Sequence, residues 1–92
     1  MALILDEIEE YEELIKFLST EIDKSPNNVV LLNNRSLAFS EIGKTTEGFK
    51  DIKAAYDIDP ENKTVVYNYN RLKEYLEKTS QDPKLSPSAR TR

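Results

Sequence analysis

Five glutamates crowd one short stretch: Glu7, Glu9, Glu10, Glu12 and Glu13. Paired carboxylates do acid–base work when a cleft shifts their pKa, and they can hold a hard cation. These five lie opposite an apolar stripe, so their expected setting is a solvated helix face. A second acidic run, Asp57-Ile58-Asp59-Pro60-Glu61-Asn62, superficially looks like a calcium loop. It lacks the turn glycine and the distal glutamate of such loops. A helix stop followed by a helix start explains all six residues. The chain has no His and no Cys. That removes the commonest general base, the thiol nucleophile and thiolate zinc chemistry. Two glycines cannot build the usual phosphate-cradling loop. No nucleophile–base pair, ligand cluster or cofactor motif remains, so the expectation is a protein that is not an enzyme and carries no cofactor or metal.

The chemistry left is recognition. Tyr69 shares a helical stripe with Val65, Leu72 and Leu76, which is core spacing. Tyr67 and Tyr75 lie off that stripe, beside Asn68 and Arg71. Exposed tyrosines with such neighbours suit a peptide-binding surface. Edge packing against a neighbouring helix is the competing reading.

The elements that must position these residues are helices. Ile4, Ile8, Tyr11, Ile15, Leu18 and Ile22 recur at spacings of four and three, which is one helix face; Leu14 and Phe17 widen it. Nothing between residues 3 and 24 interrupts, so this stretch is one helix or two collinear pieces. A second helix over 28–42 buries Leu32, Ala38, Phe39 and Ile42, and Gly43 is its left-handed terminator. A third over 45–58 buries Phe49, Ile52, Ala55 and Tyr56. Asp59 is placed to cap a fourth, about 61–78, with Pro60 at its first position. Residues 80–92 hold two prolines and almost nothing apolar, and read as a disordered basic tail behind a helical domain over 1–79.

Shifted by 34, the chain matches itself at eleven of the 43 positions 3–45, among them Pro26 with Pro60, Asn28 with Asn62 and Asn34 with Asn68. A 34-residue period built from helix–turn–helix resembles the tetratricopeptide repeat. Residues 29–62 look like one complete unit: Leu32, Asn34, Ser36, Phe39, Gly43, Ile52, Ala55 and Pro60 stand at the family's positions. Gly48 stands where alanine is usual, and Thr45 where tyrosine is. Residues 11–28 resemble the second helix of a preceding unit, residues 3–9 the end of its first helix, and residues 61–78 the first helix of a following unit. The resemblance implies an all-α, antiparallel helix–turn–helix array of about four helices, a short α-solenoid.

It also implies a concave groove lined by first helices. By position its residues are Asn33, Asn34, Leu37 and Glu41, then Tyr67, Asn68, Arg71 and Tyr75. Asparagine amides both donate and accept, and can satisfy an extended peptide backbone or brace adjacent helices. The stretch from Asn33 to Ala38 is similar to the chaperone-binding co-chaperones of this family, which grip a carboxylate with two Asn, two Lys and an Arg. Only Asn34 matches; Thr64 and Asn68 occupy two of the basic positions.

Ninety-two residues make one thin-cored domain, and a net charge of −4 argues against nucleic acid. No apolar run approaches a membrane span and no leader precedes Asp6, so a cytoplasmic protein is expected. Charge is uneven: −6 over residues 1–25 and +4 over 63–92. The expected function is a non-catalytic interaction module, an adaptor or scaffold holding a peptide or helix of a partner in the groove. The alternative is a structural unit that self-assembles as a homodimer through incomplete terminal repeats, with Leu14, Phe17 and Leu18 uncovered at one end and Leu72 and Leu76 at the other.

Overall fold

The computed structural model describes residues 5–81, with side chains over 7–78. Residues 82–92, most of the expected tail, lie outside the described residues, as do residues 1–4. Four helices follow one another: α1 Leu5–Lys24, α2 Val29–Glu41, α3 Thr45–Ile58 and α4 Lys63–Gln81. Each packs on the next in an all-α array. No described helix is long and apolar enough to cross a membrane.

The boundaries follow from local chemistry. Asn28 caps α2, its Oδ1 accepting from the Leu31 amide at 3.1 Å. Asn62, its repeat partner, accepts from the Val65 amide at 3.2 Å. This corrects the expected cap of α4: Asp59 instead closes α3 and accepts from the Asn62 side chain at 3.3 Å. Pro60 therefore precedes the helix rather than starting it. The turn after α2 needs a left-handed residue, and Gly43 supplies φ +84°. The Gly43 amide donates to Ser40 O, and the Lys44 amide to Phe39 O. That pair of bonds satisfies two orphan carbonyls at the helix end.

α1 is one continuous helix. Of the two readings left open, one helix or two collinear pieces, the structure has the first, and the division at 9–11 that the repeat resemblance implies does not occur within the described residues. Glu9 stands at the repeat position of Gly43, so no left-handed residue is present to end the helix. Glu77 occupies the same position in α4, which likewise runs straight through.

The core gathers Ile22, Leu32, Ile52, Ala55, Val65 and Leu72, with Phe49, Tyr56 and Tyr69 packed against it. Tyr69 stacks on Tyr56 with ring centroids 4.5 Å apart and on Phe49 at 5.4 Å, which turns it toward the core, as its spacing predicts, although it stays half-buried. Two expectations of open apolar surface are overturned. Leu18 is buried at the α1 end and Leu72 at the α4 end, because α2 and α3 respectively already cover them. Phe39, Ile42, Phe49 and Tyr56 are half-buried rather than buried.

The α2–α3 seam is close and polar. Ser36 Oγ donates to Gly48 O at 2.7 Å, and Ser40 Oγ to Ser36 O at 3.0 Å. A Cβ on Gly48 would stand 2.8 Å from Ser36 O, so no larger residue fits without movement. One turn on, Arg35 clasps the buried Asp51 through Nε at 2.7 Å and Nη2 at 2.8 Å, while its Nη1 donates to Ser19 Oγ on α1 at 2.9 Å. The hydrogen bond to Asp51 raises the guanidinium pKa above its already high ordinary value, against a smaller opposing effect of burial. One planar fork thus ties three helices together.

Candidate functional site

The eight residues expected to line a groove divide between α2 and α4 at equivalent places, four on each. The structure joins Asn33 and Asn68 directly: Asn68 Nδ2 donates to Asn33 Oδ1 at 2.9 Å, across 35 residues of sequence. Asn68 is buried, so this bond braces α4 against α2. Asn34, its repeat partner, is exposed, and its side chain has no hydrogen-bond partner among the described residues. Leu37 is half-buried and Glu41 exposed.

On α4 the remaining three form a surface. Tyr67 is 65% exposed and Tyr75 53%. Successive spacings of four place Tyr67, Arg71 and Tyr75 on one helix face. The Arg71 guanidinium sits 5.8 Å from the Tyr67 ring centroid, a cation–π distance. No carboxylate pairs with Arg71 among the described residues, so its charge is available to a ligand.

Two recesses flank this surface. The larger, about 310 Å³, lies between α4 and the α2–α3 turn, lined by Ser40, Gly43, Thr45, Arg71, Leu72 and Tyr75. The smaller, about 180 Å³, lies near the start of both helices and includes Val30, Asn33 and Thr64. Arg71, Tyr75 and Asn33 are the sequence-expected residues that line a recess; Asn34, Leu37 and Glu41 line neither.

Two features escape the sequence reading. The recess at the α2–α3 turn draws on Ser40 and Thr45, near a turn whose glycine reads only as a terminator. The Arg35–Asp51–Ser19 network is also unmarked. Its signal is an aspartate, Asp51, between Gly48 and Ala55 on the seam face, where a charge demands a partner. The glutamates Glu7, Glu9, Glu10, Glu12 and Glu13 are all exposed. Among the described residues no three acidic side chains are grouped to hold a metal ion.

No family model matches the chain, and no solved structure does. A curated protein, Hsp70-Hsp90 organizing protein 3 of Arabidopsis thaliana, is 33% identical over 52 residues. The match takes in 56% of this chain, which spans only 9% of that relative. The likeness and the four-helix array are compatible with a tetratricopeptide-like repeat.

Proposed function

We propose that the chain is a tetratricopeptide-like, non-catalytic interaction module that holds a peptide or helix of a partner protein in the groove of α2 and α4. The observation that carries this is the surface of Tyr67, Arg71 and Tyr75, two largely exposed aromatics around an unpaired cation. Tyrosine and arginine supply much of the energy at protein interfaces, because each joins a broad apolar or planar face to a polar tip. The recess beside them offers a place for a side chain, and the Asn33–Asn68 bond holds the two groove helices in register.

The relative's name describes an Hsp70-Hsp90 organizing protein, which favours a protein partner here and an adaptor or scaffold role. Among the eight described positions Arg71 is the one cation, in place of the clustered basic residues of a carboxylate grip. A cytoplasmic setting belongs to the same reading. Self-assembly as a homodimer is the second reading, and it rests on Leu14 and Phe17, since Leu18 and Leu72 are buried.

Affinity capture from the native lysate tests the groove. Partners retained by the unmodified chain and by Phe17→Ser, but lost by Tyr67→Ser or Arg71→Ala, support it. An unchanged set with the groove variants overturns it.

A further inference from the structure

The outer face of α1 is a second surface, distinct from the groove. In the 34-residue register Leu14, Phe17 and Glu21 correspond to Gly48, Asp51 and Ala55. Those three α3 residues are buried where α2 lies over α3. On α1 no described helix lies over the corresponding face, and Leu14 is 42% and Phe17 60% exposed. Asn34 repeats the pattern. Its partner position, Asn68, is 6% exposed and bonded to the preceding first helix, whereas Asn34 is open. Both marks define one neighbour that the described residues do not supply: a helix lying on α1 as α2 lies on α3, and beside α2 as α2 lies beside α4.

We propose that this end of the array docks an amphipathic helix with basic flanks from a partner protein. The apolar centre is Leu14 and Phe17. Glu10, Glu13 and Glu21 each lie one helical turn from one of them. Lys16 and Lys24 stand 3.9 and 3.5 Å from Glu13 and Glu21, but these are single exposed pairs. α1 as a whole keeps a net charge of −6. A docked helix therefore needs an apolar stripe at three- and four-residue spacing, rimmed by Lys or Arg. A second copy fits less well. Two α1 helices would set −6 against −6. The α4 residues equivalent to Ser36, Phe39 and Ser40 of the seam are Asn70, Lys73 and Glu74, all exposed and polar, with no stripe to offer.

The test uses the full chain and a fluorescent, amidated peptide of leucine and lysine with its leucines in one helical stripe. A scrambled peptide of the same composition and a leucine–glutamate peptide with the same stripe are controls. The striped leucine–lysine peptide binds at least about tenfold tighter than either control, and amide shifts map to the outer face of α1 and the Asn34 side chain. Phe17→Ser weakens it at least about tenfold with an unchanged melting temperature. The triple change Glu10→Lys, Glu13→Lys, Glu21→Lys transfers preference to the leucine–glutamate peptide. Equal binding of the scrambled peptide, or shifts confined to Tyr67, Arg71 and Tyr75, overturns the proposal. So does a concentration-dependent mass of the chain alone that Phe17→Ser abolishes, which would make a second copy the occupant. The groove variants leave all these readouts unmoved, so the two surfaces fail or stand separately.

Discussion

The α2–α3 seam and the outer face of α1 are the same place in the repeat with opposite chemistry. In the seam stand Gly48, with no room for a Cβ, and Asp51, clasped by Arg35. On α1 the same two positions hold Leu14 and Phe17, both exposed. A helix that approaches closely excludes bulk, and it tolerates a charge only when that charge is paired. Where no helix approaches, bulk is free and the cost of an apolar surface falls on solvent exposure. The contrast teaches that a repeat position is defined by its neighbour rather than by its own helix.

Four substitutions break or sharpen that contrast. Ile52→Ala in α3 empties a fully buried site and costs about 2–5 kcal/mol, close to the whole stability of so small a domain. Urea or thermal unfolding checks it, with Leu14→Ala as the open-face control; equal losses would mean the buried and open faces are misassigned. Arg35→Ala comes next, at about 2–4 kcal/mol, because Asp51 is left buried without its cation. Adding Asp51→Leu to Arg35→Met restores most of the loss, and a double-mutant cycle without such recovery would count against a buried pair.

Gly48→Ala separates two opposing effects. Helix propensity alone favours alanine by about 1 kcal/mol. The clash with Ser36 O opposes it, and a net loss of about 1–2 kcal/mol is expected. A stabilised variant would show that the seam relaxes by a few tenths of an ångström at little cost. Smallest is Phe17→Ser, which changes stability by less than about 0.5 kcal/mol because its ring contacts solvent. A larger loss would show that α1 is covered after all.

Much of this was legible in residue order. The 34-residue spacing marks Asn28 and Asn62 as equivalents, and both cap helices. Gly43 announces its own turn. The stripes through Ile52, Ala55, Val65 and Leu72 name the core. The misreadings share one cause. Asp59 and Asn62 both have capping side chains, and only the path of the chain past Pro60 decides which amide each one meets. Leu18 and Leu72 look open when each terminal helix is considered alone, yet one packed neighbour is enough to bury either. Among the residues expected to line a groove, Tyr67 and Tyr75 read as exposed from their positions off the stripe, and they are. Asn34 and Asn68 cannot be told apart by sequence, although one is a solvent-facing amide and the other a buried brace.

By itself the sequence determined that four helical stretches alternate with short turns, because capping residues, turn residues and apolar periodicity act over three to five residues. It also determined that no histidine or cysteine chemistry is available. Only the tertiary structure decided which residues meet across the array: Arg35 with Asp51 sixteen residues away, and Asn68 with Asn33 thirty-five away. It likewise decided that Leu14 and Phe17 stay open while Gly48 and Asp51 are closed. Such pairings depend on which helix lies over which face, and hydrogen bonding and burial respond to that distance in space rather than to separation along the chain.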